Sequence, residues 1–216
     1  SRVYESEKEV GHFRHLLGRR LAKEHPVKDA AVVPVPDSGR YAASGYASES
    51  GLPLRELLVR NPYIPRTFQI AGQANREDLV RLKFTVMQSL LHEYRKFVIV
   101  DDSLVRSTTL RSLIGMMRDA AKETRVDPRT IEVHVRIASP PIIGCCYYGI
   151  DTPEKAELVA AHHGVEEIAK SIGADSLAYI SAEGLDEVTR EFADPVDFCH
   201  ACFTGNYPTE YLERSR

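Results

Sequence analysis

A chain of 216 residues fits one large domain, or one domain with an appendage, and is long enough to bury a core. Charged residues make up 27% and hydrophobic ones 43%, the ordinary soluble range, and the formal net charge of -3 speaks against a general nucleic-acid or membrane binder. No apolar run approaches the ~20 residues of a spanning helix, no secretory signal opens the chain, and four cysteines without such a signal suit metal, redox or inert roles in a cytoplasmic protein.

Residues 6–25 carry Val10, Phe13, Leu16, Leu17 and Leu21 at helical spacing, and Pro26 closes the segment. Ala30 to Val35 reads as a short buried strand that Pro34 and Pro36 end early. Pro36-Asp37-Ser38-Gly39 is a loop, residues 40–51 read as a helix ending at Gly51, and Glu56 to Arg60 is a further strand. Residues 60–76, with two prolines, cations and aromatics and no period, are expected to form a long functional loop. Residues 77–94 look helical. Lys96 to Asp101 is a strand, and Leu104 to Lys122 is expected to be helix. Ile131 to Ser139 alternates as a strand. Helical segments at 153–162 and 165–172 precede a strand at Leu177–Ile180 and a helix near 182–191, and the cysteine-bearing end around 198–205 reads as a loop. Strand and helix in alternation predict an α/β fold with a parallel sheet.

One stretch concentrates the chemistry. Val98 to Thr109, VIVDDSLVRSTT, runs a β-branched strand into two adjacent acids and then into a hydroxyl-rich turn. Strand ends of open α/β sheets are ligand sites. Paired carboxylates repel unless a cation or hydroxyl donors join them, and Mg²⁺ favours one or two carboxylates together with phosphate oxygens. Behind Asp101 and Asp102, the residues Ser103, Ser107, Thr108 and Thr109 would offer hydroxyls and backbone N–H groups to an anion, phosphate above all. The same pattern also suits a solvated strand end followed by a helix cap.

The stretch resembles the phosphoribosylpyrophosphate (PRPP) motif of type I phosphoribosyltransferases, and more narrowly that of the glutamine PRPP amidotransferase family. Other matches follow in the same order: Val33 to Gly39 as a pyrophosphate loop, Tyr63-x-x-Arg66-Thr67-Phe68 as a lid, Arg76-Glu77 and Arg81-x-Lys83, Ser139 to Ile142, Cys146 to Asp151, Gly173 to Leu177, and the closing Cys-x-x-Cys-Phe-Thr-Gly. The resemblance runs from about residue 14 to near the end.

What it implies is a type I phosphoribosyltransferase fold over residues 1–216: a mainly parallel twisted sheet flanked by helices, with a flexible lid loop and a tail at about 193–216. It implies an enzyme that displaces pyrophosphate from carbon 1 of PRPP with ammonia, the first step of purine synthesis, working as a homo-oligomer without nucleic acid or membrane. Asp101 and Asp102 would bind the ribose diol and, with Ser38, Mg²⁺. Ser103, Arg106, Ser107, Thr108 and Thr109 would cradle the 5-phosphate. Asp37, Ser38, Gly39 and Arg60 would meet the pyrophosphate, with Arg66 and Tyr63 closing the site. Members of the family differ in carrying a [4Fe–4S] cluster, for which Cys146, Cys199 and Cys202 match three ligands. The fourth would lie upstream of this chain, as would the family's glutaminase half. No partner is expected for the histidines as metal ligands.

Two departures from the family pattern stand out. Asn61-Pro62-Tyr63-Ile64-Pro65 loses an Arg and gains prolines, which stiffen a loop. Ser107 stands where the family carries Gly, and a position requiring positive φ would strain it. The alternative kept open is a non-catalytic PRPP or nucleotide sensor, or a partner subunit of a separate glutaminase.

Overall fold

The computed structural model describes residues 9–63, 76–150, 152, 154–192 and 198–209. In chain order its elements are α1 (Val10–Glu24), β1 (Ala31–Pro34), α2 (Arg40–Ser50), β2 (Leu58–Arg60), α3 (Arg76–Lys83), β3 (Phe84–Val86), α4 (Ser89–Glu93), β4 (Lys96–Asp101), α5 (Thr108–Glu123), β5 (Glu132–Ile137), α6 (Val159–His162), α7 (Val165–Ile172), β6 (Ser176–Tyr179), α8 (Ala182–Phe192) and α9 (Ala201–Thr204).

Strands β1, β4, β5 and β6 lie side by side in that order, all parallel. The alternation of side chains along a strand explains how the sheet is covered. Phe97 and Ile99 of β4 join Val33, Val133, Val135, Leu113 and Ile172 in one core, while Val98 and Val100 join Val32, Leu21, Tyr46 and Val188 in the other. Both faces are therefore dry, which is why β4 reads as a continuous β-branched run. Helices α5 and α7 contribute to the first core, and α1, α2 and α8 to the second.

The first two helices bring their backbones into contact at two glycines. A Cβ on Gly18 would lie 1.9 Å from the Ala42 carbonyl oxygen, and one on Gly45 would lie 1.9 Å from that of His15. Glycine is needed at both for lack of room, since two backbones touch there.

Three expectations are corrected. Residues 77–94 are not one helix: Phe84–Val86 forms β3, antiparallel to β2, between α3 and α4. A three-residue strand carries too little period to be read locally, and its partner is supplied by the fold. The helix expected from Leu104 begins at Thr108, because Leu104 is buried as the anchor of a loop. The cysteine-bearing end contains a short helix, α9, stopped at Gly205 with φ 79. Among the described residues, no helix is long and apolar enough to cross a membrane.

Candidate active site

The site forms where β1 and β4 end. After β1, the chain turns back at once: the Val35 N–H donates to the Val100 carbonyl at 2.9 Å, and the Gly39 N–H donates to the Val35 carbonyl at 2.9 Å. A Cβ on Gly39 would sit 2.4 Å from the Val100 oxygen. Gly39 is thus required for a close approach between the loop and β4; its φ of -75 is open to any residue. The peptide bond between Pro36 and Asp37 is cis. The two backbone hydrogen bonds hold Ser38 beside the end of β4, where its Oγ donates to Asp101 Oδ1 at 3.4 Å.

Asp101 is buried at the end of β4. It is 8% exposed, and burial followed by the neighbouring Asp102 carboxylate pushes its pKa up to about 8. The Asp102 N–H, at 2.9 Å, and Ser38 act in the opposite sense, favouring the charged form. Asp102 accepts from Ser103 Oγ at 3.3 Å and lies 3.5 Å from the guanidinium of Arg14. Two carboxylates and a serine hydroxyl are hard oxygen donors of the kind Mg²⁺ takes alongside phosphate oxygens, so these residues fit that ion. Among the described residues, no group of three His, Cys, Asp or Glu side chains forms a metal cage by itself.

The loop from Asp102 to Ser107 opens onto the N-terminus of α5. The Val159 N–H holds it by donating to the Val105 carbonyl at 3.1 Å. Arg106 pairs with Glu157. Ser107 has φ -69, an ordinary helical value. The substitution of Ser for the family's Gly therefore carries no backbone strain here.

Arg60, at the end of β2, pairs with Asp37, which also lies 3.7 Å from Arg40. Tyr63 is 90% exposed and is not packed into the site, and its N–H donates to Asn61 Oδ1 at 3.0 Å. Arg66 and the rest of the expected lid, residues 64–75, lie outside the described residues. Sequence reading missed Arg14, Arg40 and Glu157. Nothing in the local pattern marks Arg14, because its partners are distant in the chain.

At the far end of the chain, Cys202 lies within electrostatic reach of Cys146 and Cys199. Burial raises the Cys202 pKa first, and Cys146 and Cys199 raise it further. The Tyr207 hydroxyl donates to the Cys145 carbonyl at 2.7 Å, fastening the two cysteine segments. Among the described residues no group of three or more His, Cys, Asp or Glu side chains is placed to hold a metal ion, so the cluster expected from Cys146, Cys199 and Cys202 is not shown.

The four-stranded parallel sheet covered on both faces, with acids ending β4 and a tight loop ending β1, is a type I phosphoribosyltransferase fold. No family model matches the chain. Its sequence is 48% identical over 195 residues to the amidophosphoribosyltransferase of Archaeoglobus fulgidus, which covers 90% of this chain and 41% of that protein. It is 45% identical over 202 residues to that of Bacillus subtilis, 93% of this chain and 40% of the relative. The solved glutamine PRPP amidotransferase of B. subtilis, complexed with ADP and GMP, superposes with a TM-score of 0.79 at 42% identity over 96% of this chain and 44% of that one. A second, described as the allosteric regulatory enzyme of purine biosynthesis, gives a TM-score of 0.80 at 42% identity over 96% of this chain and 43% of that one. Over the span it matches, this chain belongs to the amidophosphoribosyltransferase family; it spans about two-fifths of the length of these relatives.

Proposed function

We propose that the chain carries the phosphoribosyl-transfer step of an amidophosphoribosyltransferase, in which ammonia displaces pyrophosphate from carbon 1 of PRPP to give phosphoribosylamine. The observation that carries the reading is the junction of two walls: the loop of Asp37, Ser38 and Gly39 bonded onto the end of β4, beside the buried Asp101 and its neighbour Asp102. One wall suits a pyrophosphate, the other a ribose diol.

The displacement needs little acid–base work. Positive charge develops on the sugar as pyrophosphate leaves, so the protein's part is to hold the reactants, offset charge and keep out water. Asp101 and Asp102 accept from the 2- and 3-hydroxyls of the ribose. Ser103, Ser107, Thr108, Thr109 and the first amides of α5 receive the 5-phosphate, with Arg106 kept beside it. Arg60, released from Asp37, would meet the departing pyrophosphate, and Arg66 and Tyr63 belong to the segment that would close over it. A magnesium ion on Asp101, Asp102 and Ser38 would neutralise pyrophosphate charge. No step runs through an iron–sulfur cluster. Cys146, Cys199 and Cys202 would hold one as a structural group, to be seen as visible absorbance in anaerobically prepared protein. Ammonia drawn from glutamine by a glutaminase domain or partner, a homo-oligomeric assembly and a cytoplasmic setting complete the reading.

The test is pyrophosphate release from PRPP, Mg²⁺ and ammonium at alkaline pH. Release that needs all three supports the reading. PRPP binding without release overturns it in favour of a sensor.

A further inference from the structure

Arg14 belongs to α1, remote in sequence from every residue assigned above, yet its guanidinium touches both walls of the site. Nη1 donates to the Ser38 carbonyl at 3.4 Å, and Nη2 lies 3.5 Å from Asp102 Oδ2. The side chain is 38% exposed, at the edge of the site and open to solvent on one side.

The helix crossing sets its reach. Gly18 lies one turn beyond Arg14 on α1, and its contact is with Ala42, just inside the N-terminus of α2 that Gly39 caps. Because the backbones touch there, α1 cannot slide or roll without a clash. Arg14 is therefore delivered at a set height over the Ser38 loop. Its donors form a rigid fork, able to serve a carbonyl and a carboxylate together, which a lysine ammonium does less well.

We propose that Arg14 is a positioning residue for PRPP. It ties the pyrophosphate loop to the strand-end acids at the spacing a bound substrate spans, and it offsets the Asp102 charge beside Asp101. This rests on the PRPP reading above. Without Arg14, the loop keeps its bonds to β4 but loses its tie at Ser38 to Asp102, and the two acids repel unrelieved. Substrate binding then suffers more than the chemical step, whose groups are all retained.

The experiment compares the full chain with Arg14→Ala and Arg14→Lys by calorimetric PRPP binding with Mg²⁺, by steady-state pyrophosphate release and by thermal unfolding. For Arg14→Ala we expect PRPP affinity to fall about tenfold, the size of one lost charge-assisted bond, with kcat within about twofold and Tm unchanged. Guanidinium chloride at low, non-denaturing concentration should restore affinity where sodium chloride does not, and Arg14→Lys should fall between. Equal affinity in parent and both variants overturns the positioning role while leaving the PRPP reading intact. So does a loss in Arg14→Ala that guanidinium does not repair and Arg14→Lys does not lessen. If Arg14→Ala fails to fold, Arg14→Lys decides, and unchanged affinity in it overturns the proposal. A parent chain that binds no PRPP removes both readings together.

Discussion

The end of β4 and the cysteine-bearing end of the chain differ in how much of their fastening comes from side chains. Around Asp101, backbone meets backbone: Val35 on Val100, Gly39 against Val100, and α1 against α2 at Gly18 and Gly45. There is no room for one more carbon, and a carboxyl is kept buried against its own preference. Around Cys146 and Cys202, the Ile143 and Gly144 N–H groups donate to the Cys202 carbonyl at 2.9 and 3.0 Å, and side chains add to that fastening. Tyr147 and Tyr207 pack with ring centres 5.2 Å apart, and the Tyr207 and Tyr148 hydroxyls bond to Cys145 and Thr209, with Tyr147 and Tyr148 nearly half exposed. The contrast teaches where this protein can change. The first region should fail on the smallest insertion, and the second should yield gradually.

Asp101→Asn gives the largest expected effect and divides function from stability within the rigid region. Pyrophosphate release should fall about a hundredfold or more, while the ligand-free chain unfolds at higher temperature because a carboxyl held at a cost by burial has become neutral. Unchanged turnover, or a lower Tm, would contradict the role given to it.

Gly18→Ala comes next. A methyl group 1.9 Å from the Ala42 oxygen must push the helices apart, at about 3 kcal/mol or more, so Tm should drop by roughly 10 °C in a chain this long. A Tm within a degree or two of the parent would show the crossing to be soft.

Glu24 tests a charged join on the same side of the sheet. It accepts from the Ser181 N–H at 2.8 Å, from Ser181 Oγ at 2.7 Å and from Arg20 at 2.7 Å, tying α1 to the start of α8. Burial works to raise its pKa, but Arg20 and Ser181 together outweigh that and hold it below the ordinary 4.5. The unfolded chain therefore takes up the proton first. The stability Glu24 adds is full above its unfolded pKa and is lost as pH falls through the lower folded value. Glu24→Gln should cost about 1 kcal/mol at pH 7 and nothing in acid below that range, by denaturant unfolding across pH. A difference independent of pH would mean that packing, not charge, is at work.

The smallest effect should come from the yielding region. Tyr207→Phe removes one hydroxyl from the Cys145 carbonyl and keeps the ring, so about 1 kcal/mol or less should be lost, with turnover kept. A large loss would place this end of the chain with the rigid region.

VIVDDSLVRSTT was legible because the acids, the loop and the helix N-terminus of one site are contiguous in it, and a strand buried on both faces announces itself by composition. The helices of α1, α2 and α7 were legible from spacing, and the αL glycines Gly51 and Gly173 that stop α2 and α7 follow from the need for positive φ. Phe84–Val86 was not legible, since three residues make a strand only when Leu58–Arg60 lies beside them. Ser107 misled for a related reason: a residue's φ is set by the loop around it, and here Leu104 is buried and Val105 is bonded to Val159.

What the order of residues determined alone was the local chemistry: which strand ends in two acids, which loop carries Asp-Ser-Gly, and where hydroxyls precede a helix. These are short-range patterns, each complete within about a dozen residues. Only the tertiary structure decided that Ser38 stands beside Asp101, that Arg60 reaches Asp37, and that Arg14 spans Ser38 and Asp102. Those pairings join distant segments, and they depend on how closely two helices and two strands approach, a distance that excluded volume at Gly18, Gly39 and Gly45 sets and no local pattern records.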